Sequence, residues 1–387
     1  MATPAASFGC RVILVSSTLE DDGGIPVCVG QLAEALAGIG VAVEIAGQHA
    51  SPLAAVIGRA ASRSGITVTG FRQPWHPLGQ WRAANSLAAL VRRRATTAAR
   101  EGQRLVVHVH GVWVAPVLAA AAAAEESGVD VVISPHGMLR EEALRKSPIR
   151  KRLVFETCLR RRLAAAQAIH ATAPQEAADL ERLLSGCRPK LVPLGVVPPV
   201  ATPSVRPTEG VREAGYLGRI LPIKNLAALL VAWSVVRPAG WRLSLTGPGD
   251  AQIVGRLRRQ AVSLGIDDSV RIQPPVPLAA LGDYYSGLDL FILPSRSEAF
   301  ALTVGEALAC GVPAVVTTAA PWDGVVSRAC GWCVPPTVEG LVAGIRAATA
   351  VPPDALAAMG HRGADWVRSD FSWDTIARRH LAELYLG

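Results

Sequence analysis

Residues 288–317 constrain the fold of this chain more than any other stretch. Residues 288–293, Leu-Asp-Leu-Phe-Ile-Leu, are mostly apolar, suited to a strand and stopped by Pro294. Such a run predicts a strand buried on both faces, the kind found in a parallel sheet. Residues 313–317, Pro-Ala-Val-Val-Thr, predict the next strand. Between the two, the sequence predicts a loop and a short helix over residues 303–309, closed by Gly311. The loop thus leaves the carboxyl end of a strand and enters a helix amino terminus. Open α/β sheets bind their ligands there.

Two carboxylates frame that turn, Glu298 in the loop and Glu306 inside the helix. Leu302, Val304, Ala307, Leu308 and Ala309 surround Glu306 with small apolar side chains, where an acid is costly unless it meets a polar partner. Carboxylates accept hydrogen bonds, so two of them can hold the vicinal hydroxyls of a sugar and a ribose. The backbone N–H groups of the helix's first turn favour a phosphate between the two acids. Without that context the two acids read as an ordinary loop residue and a solvent-facing one.

The surroundings favour the first reading. Pro294-Ser295, Glu298, Phe300, Leu302, Glu306-Ala307-Leu308-Ala309 and Gly311-Val312-Pro313 stand in one register. This run resembles the E-x7-E segment of retaining nucleotide-sugar glycosyltransferases of the GT-B fold, glycosyltransferase family 4 (group 1). Ala301 departs from the pattern, standing where that family usually has Gly.

The chain has 387 residues, enough for two domains with separate cores. Its net charge is +8, which suits anionic partners such as nucleotide diphosphates, acidic membrane surfaces or nucleic acid. No stretch is long and apolar enough to span a bilayer; residues 112–124 are too short and contain Pro116. Residues 1–10 lack the basic and apolar regions of a secretion signal, and seven scattered Cys suit reduced thiols in a cytoplasmic protein. Cys330-Gly331-Trp332-Cys333 is a single Cys pair with no second one, and we read it as chance.

In the amino-terminal half, residues 11–16 predict the first strand and residues 26–38 a helix, joined by a loop ending in Gly23-Gly24. Glycines there let backbone N–H groups approach a ligand. The pair matches the family's loop facing the donor diphosphate. Residues 41–46, 67–71, 105–108, 131–134, 168–171 and 190–192 predict further strands, with a helix over residues 174–184. Residues 50–77 give no clear pattern beyond the strand. His108 and His110 are expected on opposite faces of their strand, and so in structural roles rather than on a metal. Pro135-His136-Gly137 places an imidazole at a strand's carboxyl end, where it can bond a sugar hydroxyl. In related transferases a His at this position faces sugar and acceptor.

Residues 140–162 carry Arg145, Lys146, Arg150, Lys151, Arg152, Arg160, Arg161 and Arg162, interleaved with Leu153, Val154, Phe155 and Leu159. A basic amphipathic helix of this kind can rest on an anionic membrane surface; a solvated helix face is the simpler reading. No nucleic-acid motif accompanies the charge, so no nucleic-acid partner is expected. Pro193-Leu194-Gly195-Val196 resembles the family's Pro-Asn-Gly-Val turn, with Leu194 replacing Asn. The four prolines within residues 198–207 mark the clearest boundary in the chain.

The second half opens with a strand over residues 213–217 and then Gly218-Arg219-Ile220-Leu221-Pro222-Ile223-Lys224-Asn225. Asn225 is placed to cap a helix whose Leu226, Leu229, Leu230 and Trp233 form one buried face. Arg219 and Lys224 are expected to project freely, where two cations would stabilise a diphosphate leaving group. The segment reproduces the family's G-R-x-x-x-x-K-N pattern. Residues 242–246 predict a strand ending at Gly247-Pro248-Gly249-Asp250, similar to the family's glycine turn near the nucleotide. Residues 269–272 predict another, followed by Gln273-Pro274 where the family more often has Gly. Pro321-Trp322 and Gly331-Trp332 recur in relatives that build surface polysaccharides.

The resemblance implies an α/β chain of two Rossmann-like doubly wound domains facing across a cleft (GT-B). Residues 1–197 would form the acceptor-side domain, 198–210 a linker, 211–370 the nucleotide-sugar domain, and 371–387 a helix crossing back. It implies a retaining hexosyltransferase using a GDP- or UDP-linked donor and a sugar or lipid-linked acceptor, in cell-surface polysaccharide synthesis. Arg219, Lys224, Glu298 and His136 would be catalytic. Gly24, Arg219, Lys224, Gly247, Glu298, Ala301, Leu302, Thr303 and Glu306 would bind the donor, Glu306 holding the ribose and Glu298 the hexose. No Asp-x-Asp occurs, so cations and helix termini would replace a metal, and no cofactor is expected. The protein would work in the cytoplasm, at the inner face of the plasma membrane if it is peripheral. An inactive nucleotide-sugar-binding partner and a GT-B epimerase or phosphorylase are the alternatives.

Overall fold

A computed structural model describes residues 9–20, 24–145, 147–200 and 210–387. The chain divides into two compact units, Met1–Gly195 with Trp373–Gly387, and Val196–Ser372. Gly23, Lys146 and most of the proline-rich boundary (residues 201–209) lie outside the described residues.

The first unit is built on seven strands: β1 Cys10–Ser16, β2 Ala42–His49, β3 Ile66–Arg72, β4 Arg104–His110, β5 Asp130–Ser134, β6 Ala168–Ala171 and β7 Lys190–Leu191. They are parallel, in the order β3-β2-β1-β4-β5-β6-β7. Successive side chains of a strand point to opposite faces, and each face has its own core. Val12 and Leu14 pack with Val29, Leu32 and Leu36 of the helix Gly24–Gly38, and with Ile376, Leu381 and Tyr385 of the carboxy-terminal segment. Ile13 and Val15 pack with Leu87 and Val91 of the helix Pro77–Glu101, and with Val117 and Ala121 of the helix Ala115–Glu126. Helices therefore cover both faces, as a doubly wound sheet requires.

The 25-residue helix Pro77–Glu101 and the short helix Ala55–Ala61 were not expected from the sequence pattern. The basic segment is not one amphipathic helix. It breaks into Glu141–Leu144, Pro148–Val154, a π-helical turn at Phe155–Leu159, and Arg160–Ala165. Phe155, Leu159 and Leu163 are buried at a four-residue spacing, whereas Leu153 stays 64% exposed. Several of its cations are engaged: Arg145 with Glu141, Arg160 with Glu156, and Arg162 with Glu125. No helix among the described residues is long and apolar enough to cross a membrane.

The second unit carries β8 Arg212–Leu217, β9 Trp241–Thr246, β10 Val270–Gln273, β11 Leu290–Leu293, β12 Ala314–Thr317 and β13 Gly331–Val334. They too are parallel, ordered β10-β9-β8-β11-β12-β13. Every side chain of β11 and β12 is buried, matching their unbroken apolar sequence. Gly247 follows β9 at φ 145°, and a Cβ there would stand 2.0 Å from the carbonyl oxygen of Gly218. Glycine is what lets the loops after β8 and β9 pass this closely.

Candidate active site

The strand order of the second unit reverses between β8 and β11. In open α/β sheets ligands bind beside the carboxyl ends of two such strands, where the loops leaving them turn to opposite faces. The loop after β8 is held from both sides. The hydroxyl of Tyr216 donates to the carbonyl of Arg219 at 2.8 Å, and the N–H of Arg296 donates to the carbonyl of Ile223 at 2.9 Å. Asn225 adopts a left-handed conformation, φ 59°, at the end of the turn Pro222–Lys224. Its side chain makes no capping bond, contrary to the sequence expectation. The buried amide instead donates to the carbonyls of Pro294 and Pro336, each at 3.1 Å. Asn is one of the few residues with a Cβ that tolerates this geometry, and here it fastens the loop to the end of β11.

Lys224 does not project freely, and that expectation is corrected. Its Nζ lies 2.6 Å from Oε1 of Glu298, an ion pair joining the loops after β8 and β11. Arg219 is exposed and forms no ion pair with the described residues. The Glu298 loop rests on an aromatic base. Phe300 is buried 5.4 Å from the Trp322 ring, whose indole N–H donates to the Phe300 carbonyl at 2.6 Å. Pro321-Trp322 thus supports the loop from beneath.

Ala301, at φ 64° and ψ 63°, occupies the left-handed region immediately before the helix Leu302–Ala309. The first-turn N–H groups of Leu302 and Thr303 have no acceptor inside the helix. Glu306 accepts from the hydroxyl of Tyr285 at 2.7 Å. Burial raises the Glu306 pKa, and the bond from Tyr285 opposes that only in part. The structure therefore gathers Arg219, Lys224, Gly247, Glu298, Ala301, Leu302, Thr303 and Glu306 in the second unit, on loops and a helix that follow β8, β9 and β11. Lys224 and Glu298 touch, while the described partner of Glu306 is Tyr285.

Gly24 and His136 belong to the first unit. Its strand order reverses between β1 and β4. Gly24 starts the helix after β1 and has open space around it. His110 ends β4, in register with Ser16 of β1 and Ser134 of β5. His108 and His110 share one face, because residues two apart on a strand point the same way, and their rings lie 4.1 Å apart. The expectation of opposite faces was wrong.

His136 and Gly137 are both left-handed, at φ 52° and 74°. The turn is pinned by Glu176, a buried acid that accepts from the N–H of Gly137, and from the N–H and hydroxyl of Thr172 at 2.9 and 2.8 Å. His136 Nε2 shares a 2.9 Å hydrogen bond with His110 Nδ1. Behind them, Tyr385, His108, Ser134 and His170 form one hydrogen-bonded chain that ends on the carbonyl of Val192. Burial pushes the His136 imidazole down to about 3, and holds His108, His110 and His380 well below the usual range. These rings are neutral at pH 7. Glu176, His170, His380 and Tyr385 were not singled out from sequence. Only Glu176 left a local signal, an acid in the first helical turn after a Thr.

Residues 212–350 match the family described as Glycosyl transferases group 1, and residues 23–196 match the Glycosyl transferase 4-like domain. The chain is 31% identical to the D-inositol 3-phosphate glycosyltransferase of Xylanimonas cellulosilytica, over 76% of this chain and 75% of that protein. It belongs to the group 1 glycosyltransferases.

Solved structures agree on the fold of this glycosyltransferase. Sucrose-phosphate synthase from Thermosynechococcus elongatus superposes with a TM-score of 0.69 at 21% identity, covering 97% of this chain and 98% of that one. Anabaena Alr3699/HepE, solved in complex with UDP and glucose, gives 0.68 at 18% identity, covering 95% and 97%. The two Rossmann-like units are those of a GT-B protein.

Proposed function

We propose that the chain transfers a hexose from a nucleoside diphosphate sugar to a sugar or lipid-linked sugar acceptor, with retention at the anomeric carbon. The ion pair of Lys224 with Glu298 at the second unit's strand reversal carries this reading. In the reaction, the bond from the anomeric carbon to the diphosphate oxygen breaks. The acceptor oxygen bonds the same face, and its proton leaves on the departing diphosphate. Lys224 and the exposed Arg219 stabilise the charge that develops on that diphosphate, as charge-assisted hydrogen bonds do. The N–H groups of Leu302 and Thr303 add the helix dipole, and Gly24 and Gly247 allow close backbone approach. Glu306 accepts from the ribose hydroxyls and Glu298 from the hexose. His136, neutral and fixed by its turn, bonds a sugar hydroxyl. These groups leave no step of the transfer needing a metal.

The donor is UDP- or GDP-linked; the complexes of Alr3699/HepE support UDP. The acceptor belongs to cell-surface polysaccharide synthesis on the cytoplasmic side of the membrane. Exposed Ile149 and Leu153 beside Arg150 and Arg152 support peripheral contact with an anionic bilayer. The name carried by the similar D-inositol 3-phosphate glycosyltransferases supports a phosphorylated cyclic polyol as the alternative acceptor.

Calorimetric titration with UDP, GDP and ADP in EDTA tests the donor site, alongside Glu306→Ala and Lys224→Ala. Micromolar binding of one nucleotide, lost in both variants, is expected. Failure of a folded protein to bind any of the three would overturn the transferase and the nucleotide-sugar-binding partner alike, whereas binding with no transfer to any acceptor would favour the inactive partner. Product formation on inositol 3-phosphate instead of a lipid-linked sugar would redirect the acceptor.

A further inference from the structure

We propose that Cys28, His110 and His136 form a binding site for one Zn2+ ion in the first unit. The three residues come from separate elements. Cys28 is buried on the helix Gly24–Gly38, His110 ends β4, and His136 sits on the turn after β5. One ligand atom from each, the Cys28 sulfur and a ring nitrogen of each imidazole, lie within 4.8 Å of one another. Zinc bonds of about 2.3 Å to sulfur and about 2.0–2.1 Å to nitrogen give neighbouring ligand atoms about 3.3–3.6 Å apart in a tetrahedron. Side-chain adjustments of about an ångström would complete that arrangement.

A second observation points to a missing partner. His110 is 1% exposed, its Nδ1 faces His136, and its Nε2 is buried without a hydrogen-bond partner among the described residues. Buried polar atoms in native proteins are nearly always satisfied, by protein, by water or by a bound group. The donor set narrows the ion to a soft or borderline one, of which zinc is the redox-inert choice. One thiol and two imidazoles with no carboxylate suit zinc and reject magnesium and calcium, which take oxygen ligands. Coordination would release the Cys28 proton to solvent and leave the fourth position open.

The consequence rests on the transferase reading above: zinc drawn onto the His136 imidazole would compete with the sugar hydroxyl for that ring, and so would inhibit transfer. The site itself does not depend on that reading.

The full chain, stripped with EDTA and exchanged into metal-free buffer, would be titrated with Co2+. A thiolate-to-cobalt charge-transfer band with tetrahedral d–d bands, saturating at one equivalent and bleached by Zn2+, is expected. The charge-transfer band should vanish in Cys28→Ser and Cys28→Ala, and affinity should fall at least tenfold in His110→Gln. It should persist in Cys330→Ser and Cys333→Ser, which remove the other Cys pair. Absence of the band in folded protein, or its survival without Cys28, would overturn the site. Where transfer is measurable, Zn2+ should inhibit it, EDTA should relieve the inhibition, and Cys28→Ala should be insensitive. Activity unchanged by saturating Zn2+ would overturn the inhibitory role. A protein with no transfer on any donor would defeat the function proposed above while leaving the cobalt spectrum a valid test of the site.

Discussion

Nζ of Lys224 lies 2.6 Å from Oε1 of Glu298, with side-chain exposures of 21% and 9%. The pair is too shielded to behave as a surface salt bridge, worth about 0–1 kcal/mol, and too open for the 3–5 kcal/mol lost on breaking a fully buried one. Lys224→Met and Glu298→Gln should each lower stability by about 1–3 kcal/mol, measured by urea denaturation. The double variant should lose less than the sum, since the second change removes a charge already stranded. Strict additivity would mean that the two charges do not sense each other in solution.

Ala301 pays for a left-handed backbone that glycine would adopt freely. At φ 64° and ψ 63°, its Cβ crowds the following carbonyl at a cost of about 1–2 kcal/mol, part of which glycine would return through its larger unfolded-state entropy. Ala301→Gly should therefore raise stability by about 0.5–1 kcal/mol with an unchanged denaturant slope. A loss of stability would show that neighbouring contacts reward the methyl group. The same variant restores the residue that the resemblance leads one to expect here, so its effect on nucleotide affinity bears on the donor site as well.

That position shows how far the sequence could be read. Runs such as residues 290–293 are apolar throughout because both sheet faces are covered, so the parallel architecture was visible directly. Arg219, Lys224, Glu298 and Glu306 were visible because their spacing along loops resembles a known pattern. The ion pair was not, since its partners are 74 residues apart and meet only through the strand order. The helix Pro77–Glu101 escaped because Leu78 and Trp81 put large apolar side chains on its solvent-exposed start, while its interior face is mostly small alanines. The histidine cluster draws on β4, β5, β6 and the final helical segment. No local spacing could assemble it, and the misplaced faces of His108 and His110 hid its first pair.

Glu306 gives a pH-dependent test. Burial raises its pKa in the folded protein above the unfolded value, so the folded state binds this proton more tightly. Its contribution to stability is present below the ordinary carboxyl range and is lost as pH rises through the raised folded value. Glu306→Gln, which keeps an acceptor for the Tyr285 hydroxyl, should be more stable than wild type at pH 7. That advantage should disappear in acid. Nucleotide affinity should move the other way, weakening in the variant at pH 7, because a neutral amide is a poorer acceptor for ribose hydroxyls. Equal stability of the two proteins from pH 4 to pH 7 would show an unshifted carboxyl.

The opposite sign holds in the first unit. His108, His170 and His380 are buried, and burial is the largest cause lowering each pKa. For His170 the carbonyl of Val192 and the carboxylates of Glu176 and Glu383 oppose that effect, while Arg379 reinforces it; Arg379 also lowers His380. The unfolded chain thus binds protons that the folded unit refuses. Stability is present above about pH 6.5, the unfolded imidazole value, and is lost as pH falls below it. Each imidazole held neutral steepens the loss by up to about 1.4 kcal/mol per pH unit. Urea midpoints measured in EDTA at steps from pH 7.5 to pH 5.5 should therefore fall, with His380→Gln falling less steeply. Tyr385→Phe removes the hydroxyl 2.8 Å from His108 Nδ1 and leaves that nitrogen unpaired, which should cost about 1–3 kcal/mol at pH 7.5. A wild-type midpoint that stays flat across this range would mean that the cluster takes up protons without unfolding, and that the chain from Tyr385 to Val192 is wetter and looser than its geometry requires.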